Sequence, residues 1–389
     1  MRKFITTATS LFLVLFTLVF FTSTAFAAPI TPTASTHITF TRACASPRAG
    51  QASCMALIAN RHVNPNVDTP NANSPGGGPP YAPANFHNAY NLPTTASGTP
   101  TVAIVDAYND PNLASDLATY RSQWGLPACT TSSGCLKIVN QSGGSSLPRN
   151  NASWGVEESL DLDMVSAICE NCHILLVEAS SSSLANLGTA VNEAVKLGAV
   201  AVSNSYGTGE FSSESSYCSS YYAHNNVAVT ASSGDSGPGV NFPAVCSTVI
   251  GVGGTTLNSN GTETAWNTSS TEGAGGGCSA YISKPSWENS SVTGCSGRAV
   301  SDVSADADPN TGAYVYDSYG EGGWLEVGGT SESSPIIAAV FALAGNVSST
   351  TYPASLPWSN YSSGCLFEVG GVRYAYQTGL GSPDGTGCF

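Results

Sequence analysis

The sequence predicts an α/β fold built on a mainly parallel sheet, and two patterns carry that prediction. Short runs at 101–105, 174–177, 200–202, 227–230 and 249–252 are mostly apolar or β-branched, as strands buried on both faces are. Segments with helical spacing stand between them, and buried strands alternating with helices of roughly 10–15 residues place helices on both faces of a sheet. In order, the run 101–105 ends at Asp106. Residues 157–168 put Leu160, Met164, Val165 and Ile168 on one helical face. Residues 184–197 form an amphipathic helix closed by Gly198, and 331–343 form a final apolar helix. Ligands of such sheets bind beyond the carboxyl ends of the strands. The loops holding Asp106, Ser205, Asp235 and Ser331 should therefore gather at one rim.

Composition narrows the classes of partner. Of 389 residues only 10% are charged, against roughly 25% in an ordinary domain, and Lys+Arg 12 against Asp+Glu 26 gives a formal charge of −14. So few cations cannot neutralise a phosphate backbone, which excludes nucleic acid, and anionic membrane surfaces are disfavoured likewise. An apolar share of 41% is enough for a large core.

The chain divides into three parts. Residues 1–27 read as a signal peptide: Arg2 and Lys3, an apolar run over 11–21, then Ala25-Phe26-Ala27 before the cleavage point. Residues 28–80, rich in Thr, Pro, Asn and Gly, read as an extended arm or vestigial propeptide, with one apolar patch at 55–59 that could dock on the main domain. Residues 81–389 form the main domain. A secreted, extracellular protein is expected, and a monomer. Cysteine usage agrees: ten of the twelve Cys read as the neighbouring pairs Cys44/Cys54, Cys129/Cys135, Cys218/Cys246, Cys278/Cys295 and Cys365/Cys388. Cys169-Glu170-Asn171-Cys172-His173 matches the attachment pattern of a c-type haem, but it leads straight into a buried strand with no obvious room for a porphyrin. A structural disulfide is expected there.

The chemistry starts at Ser331, within Gly328-Gly329-Thr330-Ser331-Glu332-Ser333-Ser334-Pro335 at a strand-to-helix junction. Gly permits the sharp turn, and the helix N-terminus suits an oxyanion, although Ser is also a favoured N-cap. A serine nucleophile needs a base. None of His37, His62, His87, His173 and His224 lies in a Gly-rich segment opening a helix, so carboxylates are the remaining choice. Glu157 and Asp161, four apart, project from one helical face and repel as like charges, which favours one proton held between them. The plainer alternative is an acidic first turn that complements the helix dipole. Asp235, in Ser233-Gly234-Asp235-Ser236-Gly237, could donate a hydrogen bond to an oxyanion when protonated, or serve only as a turn residue.

Taken together, Glu157-x-x-x-Asp161, Ser233-Gly234-Asp235-Ser236-Gly237 and Gly329-Thr330-Ser331-x-x-x-Pro335 resemble, in order and context, the sedolisins, or serine-carboxyl peptidases. The resemblance runs from about Tyr81 to the C-terminus. It implies a three-layer subtilisin-like fold, stabilised here by disulfides, and endopeptidase activity on proteins or peptides at acidic pH. It makes Ser331 the nucleophile, Glu157 the general base and acid, Asp161 its partner and Asp235 the oxyanion donor. It also likens Ser205-Tyr206-Gly207 to the edge along which relatives pair a substrate backbone, and Asp106 to an extra acid linked to the Glu/Asp pair.

Three departures stand out. Only about fifty residues separate the leader from the domain, where relatives carry a long folded propeptide. Glu368 could match the first acid of the family's calcium site, but Arg373 intervenes before the next acid, Asp384, so tight calcium binding is not expected and no other cofactor is. Glu332 follows the nucleophile where an uncharged residue is commoner, at a helix N-terminus that should tolerate its charge. The alternative is a secreted, catalytically impaired pseudo-peptidase acting as a binding protein. A serine esterase is weaker still, since the Gly-x-Ser-x-Gly elbow is absent around Ser331.

Overall fold

In the computed structural model, residues 38–66 and 78–389 are described, and Ile38–Phe389 form one compact unit. The expected signal peptide lies outside the described residues. The strand Thr101–Ala107 sits at the middle of an eight-stranded sheet, between His173–Ala179 and Ala201–Asn204. The sheet continues through Leu136–Asn140 on one side and through Ala228–Ser232 and Ile250–Leu257 on the other. Ile250–Leu257 also pairs with Val303–Asp306, and every pairing is parallel except that with Glu263–Ala265.

Because side chains alternate along a strand, Thr101–Ala107 feeds two cores. Val102 and Ile104 pack with Leu160, Met164, Ile336 and Phe341, from the helices Ala152–Ile168 and Thr330–Ala344. Ala103, Val105 and Ala107 pack with Leu184, Leu187 and Val191 of the helix Leu184–Lys196. This is the helix–sheet–helix layering that the sequence predicts. The same alternation turns Asp106 toward the face bearing Ala152–Ile168.

Six disulfides join the five neighbouring pairs and Cys169–Cys172. Residues 40–59, expected within the arm, are woven into this body. Phe40–Arg42 and Leu57–Ala59 extend the hairpin Ala313–Asp317/Gly323–Gly328 into a four-stranded sheet, and Ser53–Cys54 pairs with Tyr206–Gly209. Among the described residues, no helix is long and apolar enough to cross a membrane.

Candidate active site

The helix Ala152–Ile168 begins at the Asn151 cap, whose side chain accepts from Trp154 N at 3.1 Å. Glu157 therefore lies in the second turn, and no acid occupies the first. A first-turn dipole role no longer accounts for Glu157 and Asp161. From Trp154 to Ile168 every residue of the helix is buried, and its four acids take different partners. Glu158 accepts from Asp110 N at 2.8 Å and Asp163 from Tyr316 N at 3.0 Å, so these two fasten neighbouring loops. Glu157 Oε2 instead accepts from Ala56 N at 2.9 Å, and Asp161 Oδ1 from Ser205 Oγ at 2.7 Å.

Burial drives the Glu157 carboxyl well above the usual carboxylate range, and the negative charge of Asp106 adds to it. Hydrogen bonds from Ser331 and the Ala56 N–H act in the opposite direction. Asp161 is pushed up by burial first, then by Asp106 and Glu157. Asp106 itself is fully buried, offers two unpartnered oxygens and is raised to about 8 by burial. The three acids titrate as a unit. Within it Glu157 Oε2 accepts from the Ala56 N–H and Asp161 Oδ1 from the Ser205 hydroxyl, whereas Asp106 has no donor.

Ser331 lies in the first turn of Thr330–Ala344. Pro335 has no N–H to offer the Ser331 carbonyl four residues earlier, and Ser205 Oγ stands 3.3 Å from that carbonyl. The Ser331 hydroxyl donates to Ser205 O at 3.1 Å. Below the helix, Ser203 Oγ and Thr230 Oγ1 reach Ser334 Oγ at 3.0 and 3.1 Å, tying its first turns to the sheet.

Asp235 faces this helix from the loop after Ala228–Ser232. Its Oδ1 accepts from both Thr330 N and Thr330 Oγ1 at 2.8 Å, whereas the buried Oδ2 has no partner. Burial raises Asp235 to about 6, against the two Thr330 hydrogen bonds and the charge of Arg42. When protonated it carries the proton on Oδ2, because Oδ1 is already engaged as an acceptor. A Cβ placed on Gly329, whose φ is +98°, would lie 3.0 Å from that Oδ2 and 2.0 Å from the carbonyl oxygen of Met55. Glycine is required there both by the backbone angle and by this close approach.

All four sequence-predicted site residues thus meet at one rim, with Asp106 behind them. Thr330, which holds Asp235, and Met55, which reaches Ser331 from the arm, were not foreseen. Thr330 is visible only as the neighbour of Ser331, and the apolar patch at 55–59 carries no mark of its destination. None of the four described histidines, His62, His87, His173 and His224, is hydrogen-bonded to Ser331; His87, for example, turns its Nε2 to Ala167 O at 2.8 Å.

The expectation for Glu332 is corrected. Its carboxyl is fully buried without a hydrogen-bond partner, and burial, with the charges of Asp306, Glu326 and Asp308 beside it, pushes it well above the usual carboxylate range. The donor set does not fit calcium at the family's position. Glu368 lies 3.8 Å from the Arg373 guanidinium and Asp384 Oδ1 accepts from Asn91 at 2.6 Å, so each acid already faces a competing donor.

Residues 139–360 match the family described as "Subtilase family". Sedolisin of Pseudomonas sp. (strain 101) is 28% identical over 348 residues, covering 78% of this chain and 58% of that protein. Kumamolisin of Bacillus sp. (strain MN-32) is 37% identical over 137 residues, covering 30% of this chain and 24% of that protein. The chain thus spans less than two thirds of the length of these relatives. Among solved structures, Pseudomonas sedolisin, a serine-carboxyl proteinase complexed with two molecules of pseudo-iodotyrostatin, superposes with a TM-score of 0.63 at 30% identity, covering 76% of this chain and 95% of that one. Taken with the layered parallel sheet and the convergence of Ser331, Glu157 and Asp235, these likenesses establish that the chain belongs to the subtilase family, as a homologue of the sedolisins with a subtilisin-like fold.

Proposed function

We propose that the chain is a secreted serine-carboxyl endopeptidase that hydrolyses peptide bonds in proteins at acidic pH. The observation that carries this reading is the placing of Ser331, Glu157 and Asp235 Oδ2 around a single peptide unit. Ser331 Oγ attacks the carbonyl carbon, and its proton passes to Glu157. Protonated Asp235 donates from Oδ2 to the oxygen as it becomes an oxyanion. Glu157 then returns the proton to the leaving amine, and water releases the acyl group from Ser331 by the reverse sequence. Asp161 and Asp106 keep the second and third protons of the buried acid group, so that one charge, on Glu157, faces the serine.

The pH range follows from opposing needs. Asp235 must hold its proton, which it loses as pH rises through about 6. Glu157 must give up its proton while its neighbours keep theirs. Export is supported by six disulfides, which persist in oxidising compartments, and by the proposed leader over residues 1–27.

The test is hydrolysis of a denatured protein from about pH 3 to about pH 8, a range spanning carboxylate and histidine titration, beside Ser331→Ala. Activity confined to the acid side and absent from the variant is expected. A folded wild-type chain without activity at any pH overturns the reading in favour of the pseudo-peptidase.

A further inference from the structure

We propose that Asp110, Asp116 and Asp317 form a calcium site, apart from the position of Glu368 and Asp384, that fastens the loop after Asp106 to the hairpin leading into Ser331. Each residue offers one carboxylate oxygen, and the three oxygens lie within 4.8 Å of one another. All three residues are buried, at 3%, 2% and 0% exposure. Two of them bring an oxygen that has no hydrogen-bond partner, Asp110 Oδ2 and Asp317 Oδ2. None of the three is in an ion pair among the described residues.

Backbone amides set how these carboxyls lie. Asp110 Oδ1 accepts from Asn112 N at 2.7 Å, and Asp317 Oδ1 accepts from Tyr319 N at 2.7 Å and Gly320 N at 2.8 Å. One oxygen of each is thereby engaged and the other is left over. Asp116 Oδ2 accepts from Ser318 N and Oδ1 from Ser318 Oγ, both at 2.8 Å, and a carboxylate oxygen with one donor keeps a second lone pair. Glycines make room beside the two free oxygens. A Cβ on Gly155 would lie 3.2 Å from Asp110 Oδ2, and one on Gly320 would lie 3.2 Å from both Asp317 Oδ2 and Ala152 O. Gly155 stands inside the helix Ala152–Ile168, where glycine is unfavourable. The approach of Asp110 accounts for it.

Three buried carboxylates at this spacing repel one another unless a cation stands between them. Donors that are all oxygen select a hard cation. Calcium, at about 2.3–2.6 Å from each oxygen, holds ligands up to ~4.6–5.2 Å apart, and water completes its shell of about 6–8 oxygens. The ion joins three elements: the loop that follows Thr101–Ala107, the helix Leu113–Gln123, and the end of the strand Ala313–Asp317. That strand pairs with Gly323–Gly328, which runs directly into Gly329 and Ser331. The site is thus a staple behind the catalytic rim, and it is independent of the peptidase chemistry.

The full-length chain is stripped with EDTA, dialysed, and titrated with CaCl2 at about pH 7, where free carboxylates are ionised. Calorimetry reads the binding, and thermal unfolding reads its effect on the fold. A single-site isotherm is expected, with a Tm raised by about 3 °C or more at a hundredfold excess over Kd. Asp317→Asn, with wild-type near-UV circular dichroism, binds at least ~10-fold more weakly, the least that even an outer partner of a metal ligand is worth. Gly155→Ala removes no charge and favours the helix, yet it weakens binding too by crowding Asp110 Oδ2. Glu368→Gln binds as wild type does. A folded wild-type chain that shows neither heat nor a rise in Tm at about 10 mM CaCl2, well above the Kd of weak extracellular sites, overturns the proposal. So does binding of full strength in both Asp317→Asn and Gly155→Ala, or binding lost in Glu368→Gln, which places the ion near the C-terminus instead.

Discussion

At the scale of single residues, the site is a set of carboxyl groups whose protons are assigned by hydrogen bonding. Glu157→Gln keeps the side chain's shape in a fully buried position, so it should fold normally while kcat/KM falls by ~10²–10⁴, the usual worth of a general base. Activity equal to wild type at matched near-UV circular dichroism would remove Glu157 from the mechanism. Asp235→Asn separates the donor from its titration, because an amide donates at every pH. Its activity should be reduced at the acid optimum, yet it should lose the fall that wild type shows as pH rises through about 6; a pH–rate profile of both proteins checks this. These four residues were legible because each keeps its neighbours in a short motif. Asp106 entered only through the resemblance, since nothing local distinguishes it from any Asp at a strand end. Its importance comes from strand alternation, which points it into the helix that carries Glu157.

Among elements, those of the parallel sheet announced themselves, and those that complete the site did not. The strand Thr101–Ala107 and the helix Thr330–Ala344 begin and end within a few residues of their expected places. The helix Leu113–Gln123 was missed because its buried face includes Asp116 and Arg121, which look like a solvated surface in sequence. Asp116 binds Ser318 and Arg121 binds Ser166 and two carbonyls, so polar groups do the packing there. The hairpin Ala313–Asp317/Gly323–Gly328 was missed too, although it carries the arm strand and leads directly into Gly329. At that junction Gly329→Ala should cost ~1–3 kcal/mol of backbone strain and also close the space between Asp235 and a substrate carbonyl. Urea unfolding and kcat measured on the same sample should fall together; a stable, fully active variant would show that the close approach is not needed.

Across the whole molecule, the unusual feature is how many acids are buried without a cation. Burial raises Asp106 to about 8 and Glu178 to about 9, and lifts Glu157, Glu158, Asp161, Asp306 and Glu332 in the same direction. In the unfolded chain these groups titrate near ~4, so between that value and the raised ones the folded state holds more protons. Folding is then favoured by acid: the stabilisation is complete below about pH 4 and is lost as pH rises through the folded values, by ~1.4 kcal/mol per pH unit for each such group. Thermal unfolding followed from about pH 4 to about pH 8 should show a Tm that falls steadily. A Tm that climbs toward neutrality would mean that these acids are ionised in the folded protein.

The Cys44–Cys54 bridge has a last consequence, set by where its two ends lie. Both cysteines precede Met55, so the loop that they close does not span the Met55–Ala56 bond. A bridge across that bond would tether a severed strand at an effective concentration in the range of ~1 mM, and it would rebind as fast as it left. With the bridge wholly on one side, a strand severed at that bond would have no disulfide tether to the rest of the molecule. Mass action would then act as a ratchet: the more dilute the protein, the harder such an opening of the cleft would be to reverse.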